Sequence, residues 1–325
     1  MEGRARQIAP LISYHDGIHA IDTHYVRPRL AAVHLVVQDG RAALIDAGTS
    51  HSVPQVLEAL ATLGLAPAAV DWLLLTHVHL DHAGGAGQLM QALPNARAVL
   101  HPRGAPHLVN PAKLVEASIA VYGRENFTTL YGEIVAIDAA RVHVTRDGER
   151  IALAGREFEV LHTPGHALHH QAFVDHGGAQ RANVFPGDTL GICYPEFTVQ
   201  GRAMVIPTTT PTQFDPEQLV ASIRRVCACA PHAAFLTHFG RVDDVARLGV
   251  DLERLVLRFA AIARAQIGAP QDAARAAIRG AMRDCLLAEV RSHGCALSSA
   301  DAAALLEADI DLNTDGLLAW LARAK

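Results

Sequence analysis

Seven side chains of metal-binding type stand in a spacing that indicates one site. They are His77, His79, Asp81, His82, His166, Asp188 and His238, and the first four form the string H-x-H-x-D-H. In extended backbone, residues two apart point to the same side, so His77 and His79 can bind one ion. Asp81 and His82 then turn away toward a second ion. The set contains enough ligands for two metal ions.

Each ligand segment follows a predicted strand. The buried-strand pattern D-W-L-L-L precedes the H-x-H-x-D-H string, and glycines after it predict a turn. E-F-E-V-L-H-T leads to His166, N-V-F-P-G leads to Asp188, and A-A-F-L-T leads to His238. Because a rigid sheet positions the backbone of the loops at its strand ends, binding groups collect in such loops. The placement therefore predicts one site built from four strand ends.

A structural role is the common alternative for any one histidine, since a neutral imidazole is readily buried with a hydrogen-bond partner. The chain has 19 histidines, so 14 of them lie outside the five in the proposed set. We expect most of those 14 to be surface or core residues. A chance scatter would not place five histidines and two aspartates after strands, which favours the metal site.

Strands and helices alternate through the first 240 residues, which predicts an α/β fold. Helices are expected at Val53–Leu63 and Ala86–Leu93, with a strand near residue 98. Gly104–Glu133 is mostly helical in pattern, and Tyr194–Phe214 is rich in proline and threonine. Both stretches lie between ligand-bearing segments, so their aromatic residues can border the site or pack in the core. Those aromatic residues are Tyr122, Tyr131, Tyr194 and Phe197.

The strings T-H-V-H-L-D-H, T-P-G-H, G-D and T-H-F-G resemble the metallo-β-lactamase superfamily from about residue 15 to about residue 240. The resemblance implies a four-layer αββα sandwich. It also implies that His77, His79 and His166 hold a first metal, that Asp81, His82 and His238 hold a second, and that Asp188 bridges both. Asp46, in A-L-I-D-A-G-T, matches the position whose carboxylate orients the H-x-H-x-D-H loop, although an aspartate that caps its own turn is nearly as common.

The aspartate at position 188 indicates which branch of this superfamily the chain resembles. The common zinc β-lactamases carry a cysteine at this position, and none of the five cysteines here replaces it. The pattern is closer to hydroxyacylglutathione hydrolases (glyoxalase II) and acyl-homoserine lactonases. The longer string T-P-G-H-A-L-H-H resembles a prokaryotic branch of stand-alone metallo-hydrolases. The resemblance therefore points away from antibiotic hydrolysis.

The ligand set predicts hydrolysis. Two divalent ions about 3.5–4 Å apart lower the pKa of a shared water, and the resulting hydroxide attacks a carbonyl or phosphoryl centre. We expect cleavage of an ester, thioester or lactone of a small molecule, with two Zn²⁺ ions, or iron or manganese in their place. Two alternatives stay open: an enzyme like the mononuclear-iron persulfide dioxygenases, and a metal-bearing sensor or effector.

Other polar residues near the ligands are candidates for supporting roles. Asp81 is predicted to act in catalysis as well as in metal binding. Tyr194 follows Asp188 by six residues, and its phenol is a candidate donor to the developing oxyanion. His169 and His170 can contact a leaving group or pin the loop. Thr76 and Thr237 directly precede ligands, where an ordinary strand-end role is the simpler interpretation.

The region after Gly240 changes to alanine, leucine and arginine at helical spacing. Helices are predicted over Val250–Ile267, Gln271–Val290, Ala302–Ala308 and Leu317–Arg323, with an N-cap within Ser298–Asp301. We divide the chain into a catalytic domain at 1–240 and a C-terminal helical region at 241–325. This appendage is expected to cover part of a pocket or to form a homodimer contact.

Composition argues against several partners. A formal net charge of −5 without a clustered basic face argues against nucleic acid. The first residues lack a signal-peptide pattern and no stretch reaches 18 apolar residues, so we expect a cytoplasmic protein without a membrane span.

Five irregularly placed cysteines fit a reducing compartment. Cys227 and Cys229 are two apart, and on a helix such residues diverge, so packing is favoured over metal binding.

Overall fold

The computed structural model describes residues 11–178 and 182–323. The expectation of an N-terminus without a signal peptide falls largely on residues 1–10, which lie outside the described residues. Two mixed β-sheets with flanking helices and further C-terminal helices confirm the predicted α/β class. None of the helices in the described ranges combines the length and the apolarity that crossing a membrane requires.

The first sheet has seven strands that pair in chain order. They are β1 (Leu11–Ser13), β2 (Ile18–Asp22), β3 (Ala32–Gln38), β4 (Arg41–Ile45), β5 (Val70–Leu74), β6 (Arg97–Leu100) and β7 (Val142–Val144). Strands β1 to β4 pair antiparallel, and β4 to β7 pair parallel. Because parallel neighbours need a crossover connection, helices separate the later strands. The carboxyl ends of β4 and β5 consequently meet at one edge of the sheet.

The second sheet contains six strands. They are β8 (Arg150–Leu153), β9 (Arg156–His162), β10 (Gln171–Asp175), β11 (Asn183–Phe185), β12 (Ala234–Leu236) and β13 (Gly240–Val242). β8 and β9 form an antiparallel hairpin, β11 pairs parallel with β12, and β12 pairs antiparallel with β13. The strands expected before His166, Asp188 and His238 are therefore present as β9, β11 and β12.

Ten α-helices lie within the described residues. They are α1 (Val53–Thr62), α2 (Leu80–Ala83), α3 (Ala86–Ala92), α4 (Ala105–Val109), α5 (Ala112–Tyr122), α6 (Arg124–Tyr131), α7 (Pro216–Ala228), α8 (Val245–Arg264), α9 (Gln271–Ser292) and α10 (Ser299–Arg323). The stretch Gly104–Glu133 is helical as predicted, in three short pieces.

Contacts along the backbone divide the described chain into two compact units. The first unit contains residues 11–160 and 175–178, and the second contains 161–174 and 182–323. In the first unit, Val56 and Leu60 of α1 and Leu89 of α3 pack on Leu44 and Leu73 of the sheet. The boundary predicted near residue 240 separates a catalytic domain from a helical region, whereas the two units are defined by their internal contacts. That boundary stays a prediction, and so does the homodimer contact.

The last helix departs from the prediction. Two helices separated by residues 309–316 were expected, but α10 runs unbroken through these residues. The buried Asn313 side chain accepts a hydrogen bond from the Thr209 backbone at 2.5 Å, and Thr314 Oγ1 donates to the Ile310 carbonyl. Because these contacts satisfy the polar groups, the segment stays helical despite its poor helix propensity.

Gly316 allows this part of α10 to approach the segment that carries Thr209. A Cβ atom placed on Gly316 would lie 1.4 Å from the Thr209 carbonyl oxygen. The contact is with backbone, which cannot rotate away as a flexible side chain can. Glycine is therefore required at this point by the close packing of the helix.

We predict opposite effects for two helical glycines. Gly316→Ala should lower the free energy of unfolding by about 1–3 kcal/mol or more, because the methyl group overpacks a backbone contact. Gly280→Ala is the matched control, since Gly280 is exposed in α9 with nothing within 4 Å of the new methyl group. It should raise stability by about 0.5–1 kcal/mol through helix propensity. Denaturant unfolding of both variants tests this, and equal effects would contradict the packing argument.

Candidate metal centre

The H-x-H-x-D-H loop of the first unit brings its ligand atoms close together. It leaves β5 and enters the short helix α2. His77 Nε2 lies 2.9 Å from His79 Nδ1, and His82 Nε2 lies 3.7 Å from Asp81 Oδ2. His77 and His82 are buried, whereas His79 and Asp81 are partly exposed. The loop thus contains two close pairs of candidate ligand atoms, one from His77 and His79 and one from Asp81 and His82.

Asp46 holds this loop through both of its carboxylate oxygens. Oδ2 lies 2.8 Å from His82 Nδ1, and Oδ1 accepts hydrogen bonds from the Thr76 backbone and hydroxyl. The backbone amide of Ala47 also donates to the His82 carbonyl. The contacts expected of Asp46 are therefore present, and His82 keeps Nε2 for a metal. Sequence reasoning favoured an ordinary strand-end role for Thr76, and its bonds to Asp46 correct that interpretation.

The second unit brings together His166, Asp188 and His238. His166 Nε2 lies 3.4 Å from Asp188 Oδ2, and His238 Nε2 lies 3.6 Å from Asp188 Oδ1. These separations are longer than ordinary hydrogen bonds. Two nitrogens that share a tetrahedral zinc ion at 2.0–2.1 Å lie about 3.3 Å apart, so the spacing fits ligands of a common ion. Each oxygen of Asp188 faces a different histidine, which is the arrangement that a bridging carboxylate needs.

His170 positions Asp188. The Asp188 backbone amide donates to His170 Nε2 at 3.1 Å, so this nitrogen is unprotonated and Nδ1 carries the ring hydrogen. Nδ1 lies 2.8 Å from Thr163 Oγ1, which accepts that hydrogen. The sequence predicted that His170 either contacts a leaving group or pins the loop. These two hydrogen bonds show that it pins the loop. His169 is buried beside it, and a contact of either residue with substrate stays a prediction.

The T-P-G-H turn is held against helix α7. Gly165 has φ +133°, and a Cβ there would lie 2.2 Å from the Leu219 backbone nitrogen. The Ser222 hydroxyl donates to the Pro164 carbonyl at 2.6 Å. His166 follows directly, and its Nδ1 lies 3.3 Å from the Thr208 carbonyl oxygen. The turn and this contact leave Nε2 of His166 facing Asp188. Thr237, which precedes His238, is buried.

Tyr194 donates its phenol hydrogen within the second unit. Its hydroxyl lies 2.7 Å from Asp309 Oδ2 of α10, and its ring packs at 6.0 Å from Phe197. Sequence reasoning missed Asp309, because nothing local relates residues 115 positions apart. Because the phenol hydrogen is directed to Asp309, we favour a structural role for Tyr194, and the predicted role of a donor to substrate is the alternative that its substitution tests.

Three tyrosines surround the approach to Asp81 in the first unit. Tyr122 and Tyr131 were expected as pocket or core residues, but Tyr25 was missed because its loop has no periodic pattern. Burial raises the pKa of all three phenols, and the charge of Asp81 raises it further. The phenols are therefore protonated donors at neutral pH.

The five cysteines are free thiols. Burial raises the pKa of Cys193 to about 11, which disfavours the thiolate that binds metal. Cys227 lies against the Val245 carbonyl, and Cys229 is exposed. No metal-binding group among the described residues contains a cysteine.

Mixed sheets with histidine and aspartate ligands in strand-end loops define a class of metal-dependent α/β proteins. Each of the seven predicted ligands belongs to a group of side chains that could hold a metal ion. A family model described as the metallo-beta-lactamase superfamily matches residues 26–238. The chain therefore belongs to the metallo-β-lactamase superfamily.

Curated relatives support a hydrolase of this superfamily. The chain is 33% identical over 226 residues to a hydroxyacylglutathione hydrolase of Xanthomonas euvesicatoria, covering 67% of each chain. It is 28% identical over 235 residues to a metallo-beta-lactamase fold-containing protein of Sulfurisphaera tokodaii, covering 70% of this chain and 80% of the relative. For a Xanthomonas axonopodis hydroxyacylglutathione hydrolase, at 33% identity, the match covers 63% of each chain. The chain thus spans about two thirds of the length of the Xanthomonas relatives.

Solved structures agree on the fold. An archaeal metallo-beta-lactamase superfamily protein from Sulfolobus tokodaii superposes with a TM-score of 0.63 at 22% identity, covering 94% of this chain and 99% of the other. A metallo-beta-lactamase family protein from Thermus thermophilus gives 0.63 at 20% identity, covering 95% and 94%. The chain is a hydrolase of this superfamily. Its family membership, its relatives and its groups of histidine and aspartate side chains together imply divalent metal ions.

We predict that Asp46→Asn weakens metal binding by about 10–100-fold, because the amide cannot accept from His82 and from Thr76 at once as the carboxylate does. Metal retained after dialysis against graded chelator measures the effect. Asp71→Asn is the control, since Asp71 lies on the neighbouring strand β5 and forms an ion pair with Arg41. Equal metal retention in the two variants would contradict the orienting role of Asp46.

We predict that Tyr194→Phe lowers the free energy of unfolding by about 1–2 kcal/mol, because Asp309 loses a donor. Turnover should change by less than about threefold. Asp309→Asn keeps an acceptor for the phenol and should cost less stability. A hundredfold loss of kcat in Tyr194→Phe with unchanged stability would instead show that the phenol acts on substrate.

Proposed function

We propose that the seven residues together bind two zinc ions. His77, His79 and His166 hold the first ion, Asp81, His82 and His238 hold the second, and Asp188 bridges them. The observation that carries this assignment is the Asp188 carboxylate, whose two oxygens each face a different histidine nitrogen at ligand spacing. Imidazole and carboxylate ligands suit zinc, and iron or manganese accept the same donors.

The proposed reaction is hydrolysis of a carbonyl compound. When bound, the ions supply a nucleophilic hydroxide at neutral pH and polarise the carbonyl oxygen. Asp81 is proposed to hold the proton released by the attacking water. Its Oδ2 lies 3.7 Å from His82 Nε2 and the side chain is 21% exposed, so the carboxylate is at the proposed metal site and accessible to that proton. The proton then passes to the departing sulfur or oxygen.

The proposed substrate is a thioester of a small molecule. Support comes from the relatives named hydroxyacylglutathione hydrolase, which match about two thirds of this chain at up to 33% identity. The aspartate at position 188 is consistent with this branch, since an oxygen bridge replaces the cysteine of the common zinc β-lactamases. Esters and lactones present the same carbonyl to the same nucleophile, so they belong in the same assay.

We predict close to two metal ions per purified chain and measurable thioester hydrolysis. Asp188→Ala should lose metal and should lower hydrolysis by more than about a hundredfold, because one side chain serves both ions. Asp243→Ala is the control, since this aspartate lies just after β13 on the surface and pairs with Arg241.

Metal analysis is coupled to hydrolysis of thioesters, lactones, phosphodiesters and β-lactams. Full turnover by Asp188→Ala with one metal would contradict the bridging role. A wild-type protein that is fully loaded with metal and inactive toward every compound would favour a sensor. Oxygen consumption with a persulfide by a one-iron protein would favour the dioxygenase.

A further inference from the structure

Three tyrosines form a stacked group in the first unit, here called the tyrosine cluster (Tyr25, Tyr122 and Tyr131). The rings of Tyr25 and Tyr131 stack with centroids 5.9 Å apart, and the Tyr122 ring meets Tyr131 edge-on at 5.7 Å. The Tyr25 hydroxyl donates to the Tyr131 hydroxyl at 3.2 Å. The cluster therefore presents ring surface and phenol groups together.

The tyrosine cluster is next to the proposed metal ligand Asp81. Leu80, the residue before Asp81, packs in the same apolar group as Tyr131 and Phe127. Tyr25 and Tyr122 pack against this same group, which directly precedes Asp81 in the chain through Leu80. A group bound on these rings would therefore lie close to the proposed reaction centre.

The position of Tyr131 is set by the loop after β4. The Ser50 hydroxyl donates to the Tyr131 carbonyl at 2.7 Å, and His51 Nε2 lies 3.2 Å from the Thr128 carbonyl oxygen. At Gly132, with φ +69°, an added Cβ would lie 2.1 Å from Ser50 Oγ. The end of α6 is thus held to the same connection that begins at Asp46. Such anchoring fixes the rings relative to the ligand loop.

The apolar surface around the tyrosine cluster is open. Helix α5 carries Leu114, Val115 and Ile119 toward the cluster, yet none of its residues is fully buried. Tyr25 and Tyr122 are also only partly buried. A helix that served packing alone would bury its apolar face. Partly exposed apolar side chains and phenol groups beside the proposed reaction centre can contact a bound apolar group.

We propose that the tyrosine cluster and the apolar side of α5 form the subsite for the acyl group of the substrate, and that this acyl group carries an aromatic ring. Aromatic rings pair with aromatic rings in stacked or edge-on geometry, and the surrounding aliphatic side chains add apolar contact. The inference rests on the proposed hydrolysis and adds the chemical class of the acyl group.

The test compares phenylacetyl and acetyl thioesters of one thiol. The metal-loaded wild-type protein should favour the phenylacetyl compound in kcat/KM by about tenfold or more. Tyr122→Ala should bring this ratio close to one, because KM should rise much more for the phenylacetyl compound than for the acetyl compound. Tyr14→Ala removes a partly buried tyrosine of the same unit outside the cluster, and it should leave the ratio unchanged. Thermal unfolding checks that each variant is folded.

Binding of phenylacetate and acetate to the metal-loaded protein separates this inference from the proposed function. Tighter binding of phenylacetate that is lost in Tyr122→Ala supports the subsite, even in a protein that hydrolyses no thioester, and that outcome overturns the hydrolase proposal alone. Thioester hydrolysis with the same acyl preference in wild type and Tyr122→Ala overturns the subsite alone. A wild-type preference for the acetyl compound also overturns it.

Discussion

The buried carboxylate of Asp46 is the contact on which the first ligand loop depends. A carboxylate is costly to bury unless several donors satisfy it, and here the donors are the Thr76 amide and hydroxyl and the ring of His82. The same bonds that offset the cost of burying the charge therefore orient His82, a proposed metal ligand. Asp46 also adopts φ +62°, a left-handed conformation that aspartate tolerates better than most residues. Both the contacts of the carboxylate and the left-handed backbone conformation therefore favour aspartate at position 46.

In the second unit, a neutral imidazole rather than a buried carboxylate positions the loop that carries Asp188. This imidazole belongs to His170. The Asp188 side chain is a proposed metal ligand, and its position is set through its backbone. The Asp188 amide donates to His170 Nε2, and its carbonyl accepts from the Thr208 hydroxyl. An unprotonated imidazole nitrogen is a good acceptor for an amide and adds no charge beside a metal site. Histidine thus serves two purposes in this chain: some rings are suited to bind metal, and His170 builds the loop.

The C-terminal helices act on the loops of the second unit rather than standing apart from them. Asn313 of α10 satisfies the backbone at Thr209, and Asp309 accepts from Tyr194 on the segment that leaves Asp188. Thr208, next to Thr209, contacts both Asp188 and His166. These contacts connect α10 to the segments that carry the candidate ligands Asp188 and His166. The helices are part of the site's support.

The sequence by itself determined the ligand types, their strand-end positions and the α/β class, because side-chain chemistry and the periods of strands and helices are local properties. Asp46 was found through the resemblance to the superfamily, which its place in A-L-I-D-A-G-T carries. Only the tertiary structure decided that α10 is unbroken, that His170 pins Asp188, that Tyr194 donates to Asp309 and that Tyr25 joins two distant tyrosines. Each of these depends on residues brought together from far apart in the chain, and no local pattern of charge or hydrophobicity records such a contact.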